Sequence, residues 1–178
     1  IVDLRNCAFD RGWYKTHQFR IPVISVGNLT LGGTGKTPFV AWVSKWLIAQ
    51  NISPAIVSRG YKQGHGERND EAMELAEKLP GVPHVQNPNR VQAAETAIKQ
   101  HAVEAIVLDD GFQHRRLARD LDVVLIDALE PFGFEYLFPR GTLREPLSSL
   151  RRADAVALTR VDRISAERLA ELKNRVQS

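Results

Sequence analysis

Cysteine is almost missing: Cys7 is the only one in 178 residues. No intramolecular disulfide and no Cys-x-x-Cys metal site can form, which fits a reducing compartment. No run of eighteen apolar residues occurs, so the sequence offers no bilayer-spanning helix, and it shows no signal-peptide h-region. Aromatic residues make up only 7%, and no basic stripe is interleaved with them. A nucleic-acid partner is therefore not expected. Repeats and low-complexity tracts are lacking too. Charge of one sign does not dominate: 24 Lys+Arg against 21 Asp+Glu leave +3. That excess permits an anionic ligand or a membrane surface without demanding either. With 43% hydrophobic and 25% charged residues, the chain is neither disordered nor collagen-like. It opens on Ile1 rather than Met, and a piece of a longer chain, cut at both ends, is the expectation.

What is present is a rhythm of short apolar runs and amphipathic stretches. Pro22–Asn28, Ala55–Ser58, Ala105–Asp109, Leu121–Asp127 and Ala155–Thr159 read as strands. Pro38–Gln50, Glu71–Leu79, Asn89–Gln100 and a stretch from Ser165 to about Val176 have helical spacing, with Ser165 able to cap the last. Strands that are apolar without alternation are buried on both faces. The predicted fold is α/β, a P-loop NTPase-like, mostly parallel sheet with helices on both faces. Ligands of such sheets bind at the carboxyl ends of the strands.

The segment Thr30-Leu31-Gly32-Gly33-Thr34-Gly35-Lys36-Thr37 lies between a strand and a helix. It matches G-x-x-x-x-G-K-[ST] at Gly35, Lys36 and Thr37, with Thr30 in place of the first glycine. Glycines let backbone N–H groups converge on phosphate oxygens, and the helix N-terminus adds positive potential. Lys36 then reaches the β- and γ-phosphates, and the Thr37 hydroxyl is a ligand for Mg²⁺. Asp109-Asp110 closes an apolar strand before Gly111. It reads either as the acid pair that holds Mg²⁺ or as a strand-ending turn. Asp127 closes another strand and reads as structural. Thr159-Arg160-Val161-Asp162 stands where a GTPase carries Asn-Lys-x-Asp, and only the Asp agrees. Adenine is favoured, with a nucleotide-dependent regulatory switch as the alternative to an enzyme.

Taken together the blocks resemble the tetraacyldisaccharide 4'-kinases, the lipid A 4'-kinases of Gram-negative bacteria. The resemblance rests on Val23–Thr30 leading into Gly32–Pro38, on Ser58-Arg59-Gly60-Tyr61, and on Asp109-Asp110-Gly111-Phe112-Gln113-His114. Leu117, Arg119-Asp120, Phe132-Gly133 and Pro139–Pro146 complete it. It implies transfer of the γ-phosphoryl of ATP to the 4'-hydroxyl of a tetraacylated glucosamine disaccharide 1-phosphate, with Mg²⁺, at the cytoplasmic face of the inner membrane. By matching motif it implies Asp70 as general base, with Lys36, His114 and Arg144 catalytic. It also implies Thr37, Asp109, Asp110, Gln113 and Glu145 around the metal, and Thr30, Gly32, Gly33, Thr34 and Gly35 with Lys36 and Thr37 around the nucleotide. From the residues alone Asp70 reads as a helix cap, His114 as a packed imidazole and Arg144 as a solvated loop charge.

The resemblance divides the chain into a membrane-proximal helix over 1–20 and a P-loop kinase core over 21–178, with the family's C-terminal lobe largely absent. Ile1, Val2, Leu4, Ala8 and Phe9 share a helical face near Arg5, Arg11, Lys15 and Arg20. That segment reads either as an interfacial helix near anionic lipid or as a helix packed on the core.

Overall fold

The computed structural model describes residues 2–60 and 70–177. Its centre is a six-stranded sheet in the order β3-β2-β4-β1-β5-β6, with every neighbouring pair parallel. The strands are β1 Val23–Asn28, β2 Pro54–Ser58, β3 His84–Gln86, β4 Ala105–Asp109, β5 Leu121–Asp127 and β6 Ala155–Thr159. The helices are α1 Val2–Asp10, α2 Lys36–Ala49, α3 Asp70–Lys78, α4 Arg90–His101 and α5 Ala166–Gln177.

Alternation along each strand explains the continuous apolar runs. Ala55 and Val57 of β2 and Ile106 and Leu108 of β4 face Val91, Ala94 and Ala97 of α4. Ile56 and Val107, one residue out of phase, face Val40 and Leu47 of α2 and Leu75 of α3. Both faces are thus covered, and a polar residue on either would be buried without water. A third cluster joins Val124 and Ile126 of β5 to Phe112, Leu143 and Leu172 of α5. Asn89 caps α4 by accepting from the Gln92 amide, and Ser165 caps α5 by accepting from the Arg168 amide.

Two features depart from the sequence expectations. β3 is an additional strand, three residues long. The expected apolar face of α1 is split: Ala8 is buried whereas Leu4 is 72% exposed. The inner side of α1 is fixed largely by polar contacts, with Asn6 buried. The stretch 128–147 is ordered by one 3-10 turn, Gly133–Glu135, and by isolated bridges that tie Leu143 to Thr30 and Leu137.

Candidate active site

β1 ends at the fully buried Asn28, and the chain turns through residues 29–35 into α2. Gly35 immediately precedes the helix with φ of +84°, a left-handed conformation that suits glycine. The first amides of α2 consequently open toward the loop, where an anion can take them. Proline at position 38 falls in the first helical turn, where its missing N–H costs little.

The loop is clipped from several sides. Asn28 Nδ2 donates to the Thr30 carbonyl at 2.7 Å, and the Leu31 amide donates to Thr142 O at 2.7 Å. Thr159 Oγ1, at the end of β6, donates to Thr34 O at 3.0 Å. Arg160 donates to Gly33 O with one arm and to Asp127 with another. The ends of β5 and β6, both on one side of β1, together with Thr142 therefore set the shape of the loop.

Lys36 Nζ lies 3.4 Å from Asn28 Oδ1 and 4.0 Å from Asp110 Oδ1. Arg144 grips Asp110 with two guanidinium nitrogens, at 2.5 and 3.0 Å, and reaches Asn28 Oδ1 at 3.3 Å. Its backbone amide is anchored on Leu29 O. Burial by itself would push the Asp110 carboxyl up, but the Arg144 hydrogen bonds and charge, with Lys36, hold it below the usual carboxylate range. Asp109 has no such partner. Burial first, then the Asp110 and Glu71 charges, raise it to about 6. Its Oδ1 is buried without a hydrogen bond.

Thr30, Gly32, Lys36, Asp109, Asp110 and Arg144 line one cleft of about 430 Å³. Its other wall comes from the ends of β2 and β3 and from α3. Thr34 and Thr37 are buried beside the loop, and the Thr34 hydroxyl has no partner. Gln113 donates to Asn28 O at 2.9 Å, which leaves its Oε1 buried and unpaired. His114 stands apart from the lining of this cleft. Burial, and then the charges of Arg90, Arg119, Arg116 and Arg5, push it down to about 4, so it is neutral at pH 7.

Glu145 faces elsewhere. It is 1% exposed and accepts from Arg5 at 2.8 Å, Asn6 at 3.0 Å and Arg152 at 2.8 Å. That cage ties α1 to the core and takes the carboxylate out of the cleft lining. The Asp70 side chain and Tyr61 lie outside the described residues. Two residues near the site were not singled out by sequence reasoning. Asn28 braces the loop with its amide nitrogen and gathers Lys36 and Arg144 on its oxygen. Arg90 is 6% exposed, its Nε lacks a partner, and its charge acts on Asp110 and Asp109. Asn28 closes an apolar strand and falls within the Val23–Thr30 block of the resemblance, neither of which gave it a role, and no sequence signal marked Arg90.

The family described as tetraacyldisaccharide-1-P 4'-kinase, LpxK, matches residues 1–177. The tetraacyldisaccharide 4'-kinase of Anaeromyxobacter dehalogenans is 45% identical over 96% of this chain and 49% of its own length. That of Halothermothrix orenii is 43% identical over 98% of this chain and 50% of its own. The chain thus spans about half the length of these curated relatives. The crystal structure of the "apo" form of LpxK from Aquifex aeolicus in complex with ATP is similar at a TM-score of 0.82 and 37% identity. It covers 92% of this chain and 56% of that one. FtsY from Mycoplasma mycoides, at a TM-score of 0.53 and 12% identity, shares the fold alone. On the family match and these identities, the chain belongs to the tetraacyldisaccharide-1-P 4'-kinase family.

Proposed function

We propose that the protein of which this chain is the P-loop core transfers the γ-phosphoryl group of ATP to the 4'-hydroxyl of a tetraacylated glucosamine disaccharide 1-phosphate. The observation that carries this reading is the convergence of the phosphate loop, Lys36, Asp109, Asp110 and Arg144 on one open cleft. Phosphoryl transfer needs little covalent chemistry from a protein. It needs the acceptor oxygen and the leaving oxygen held in line and the charge on phosphorus neutralised. Amides at the start of α2 hold the phosphates, and Lys36 and Arg144 supply fixed positive charge beside them. The new bond forms between the 4'-oxygen and the γ-phosphorus, the bond to the β-phosphate oxygen breaks, and the hydroxyl proton passes to a base. The resemblance assigns that base to Asp70.

The residues present fit a divalent cation. Asp109 Oδ1 and Gln113 Oε1 are buried acceptors without partners, and Thr37 lies at the head of α2. Among the described residues no three His, Cys, Asp or Glu side chains cluster. Mg²⁺ is held by one or two carboxylates together with phosphates and water. Asp109, Thr37 and Gln113 would hold the ion, and Mg²⁺ there supplies neutralisation of the β- and γ-phosphate oxygens.

The N-terminal segment supports work at a membrane surface. Leu4, Trp13 and Tyr14 are 72%, 67% and 48% exposed, beside Arg11 and Lys15. Aromatic and basic residues of this kind sit at the headgroup level of an anionic leaflet. Among the described residues no helix is long and apolar enough to cross a membrane. The cytoplasmic face of the inner membrane is the location proposed. Incubating the full-length protein with labelled ATP and the acylated disaccharide 1-phosphate in detergent should give a labelled lipid bisphosphate. Hydrolysis of ATP to free phosphate with no labelled lipid would overturn the assignment.

A further inference from the structure

The wall of the cleft opposite the phosphate loop has its own chemistry. Pairing of β2 with β3 sets Ile56 beside His84 and Ser58 beside Gln86, and the two-residue period puts all four side chains on one face of the sheet. Ile56 belongs to the core under Leu75 of α3. Two residues further along, at the carboxyl ends, Ser58 and Gln86 turn this face polar, and with His84, the first residue of β3, they line the cleft. Ser58 Oγ and His84 Nε2 are 2.8 Å apart. The backbone is drawn close here, since a Cβ on Gly60 would come within 3.1 Å of the Gln86 Cβ.

The charges of the cleft lie elsewhere: Lys36, Asp109, Asp110 and Arg144 on the β1–β4 side, Arg59 and Glu71 beside the polar wall. Ser58, His84 and Gln86 form its uncharged corner. Resting on the kinase reading above, the geometry points to a hydroxyl-binding subsite: Ser58, oriented by His84, hydrogen-bonds a sugar hydroxyl of the acceptor. A serine hydroxyl has one donor and two lone pairs, and the imidazole takes one of these, leaving the others for the cleft. Burial holds the His84 imidazole below its usual range, so it stays neutral near pH 7 and does not compete for phosphate. The Gln86 amide adds a donor and an acceptor to the same corner. Ser58 is the binding residue, and His84 is a positioning residue that acts through it.

The test is steady-state kinetics of the full-length protein with both substrates varied in mixed micelles. Ser58→Ala should raise KM for the acylated disaccharide 1-phosphate about tenfold, the worth of one hydrogen bond, while KM for ATP moves less than twofold. Ser58→Thr, which keeps the hydroxyl, should restore most of that loss. His84→Phe should reproduce the Ser58→Ala pattern, and His84→Gln, which keeps a donor, should be milder. An equal rise in both KM values, a fall in kcat with acceptor KM unmoved, or no rescue by threonine overturns the subsite. Should Ser58→Ala lower the melting temperature enough to spoil the assay, the two His84 variants decide by the same criterion. A wild-type protein that transfers phosphate while every variant keeps its acceptor KM refutes the subsite alone. A wild-type protein that transfers none refutes the kinase reading and the subsite with it.

Discussion

Arg144 and Glu145 are neighbours in the chain but belong to two different electrostatic regions. Arg144 points into the cleft, where it and Asp110 are 25% and 29% exposed and Lys36 is 17% exposed. Glu145 turns away into a cage of Arg5, Asn6 and Arg152 with 1% of its side chain exposed. The open region keeps a buried carboxylate oxygen without a partner, at Asp109, whereas the unpaired buried atoms of the cage are the Nε donors of Arg5 and Arg152. In the cage, both Glu145 carboxylate oxygens are hydrogen-bonded. A charged group without a full set of partners is costly to the apo fold and is kept where a ligand completes it. A carboxylate bonded at both oxygens holds architecture. Substitutions on the two sides should therefore separate into loss of chemistry and loss of stability.

The largest effect is expected from Lys36→Ala. Phosphoryl transfer should fall by roughly 10²–10³-fold, with denaturant stability within about 0.5 kcal/mol of wild type. A variant that unfolded instead would erase the distinction between the two regions. Next comes Glu145→Ala, which strands Arg152 and Asn6 under α1. It should cost about 3 kcal/mol in chemical denaturation of the nucleotide-free protein, because Asn6 is buried and Arg152 is only 17% exposed. ATP affinity should stay within twofold in ATP titration. If affinity for Mg-ATP fell while stability held, Glu145 would belong to the metal site after all.

A smaller effect concerns pH. His114 titrates near 4 when folded and near 6.5 when unfolded. The unfolded chain takes up this proton first as pH falls, so this contribution to stability is complete above about 6.5 and is lost progressively toward about 4. His114→Gln should flatten the dependence of the denaturation midpoint on pH in that window. An unchanged slope would mean that the imidazole is solvated.

Much of this architecture was legible in the chain. Ala105–Asp109, Leu121–Asp127 and Ala155–Thr159 were readable to the residue because each apolar run stops where polarity returns, although Asp122 lies inside β5 and the edge strand β6 is only partly buried. β3 was not legible, since His84-Val85-Gln86 follows Pro83 and carries one apolar residue, and its pairing is supplied by β2. The phosphate loop announced itself because its chemistry is local, packed into eight consecutive residues. Glu145 did not, because its partners Arg5 and Asn6 stand 140 and 139 positions away. The α1 face misled for the same reason. Its inner side is chosen by Glu145 and Arg115, which donates to Asn6 O, and not by helical periodicity. Asn28 was visible as the end of a strand within the Val23–Thr30 block, and its part in aiming Lys36 and Arg144 needed three dimensions.

Thr159 and Arg160 fasten carbonyls of residues 34 and 33 from a distance of 125 and 127 positions. During synthesis, then, the phosphate grip stays slack until the edge strand has left the ribosome and docked. Competence to hold ATP should arrive late and abruptly, and stalled nascent chains of increasing length should begin to be captured by immobilised ATP only once residue 160 has cleared the exit tunnel. Capture by chains stalled well before that point would mean that the fastening is dispensable.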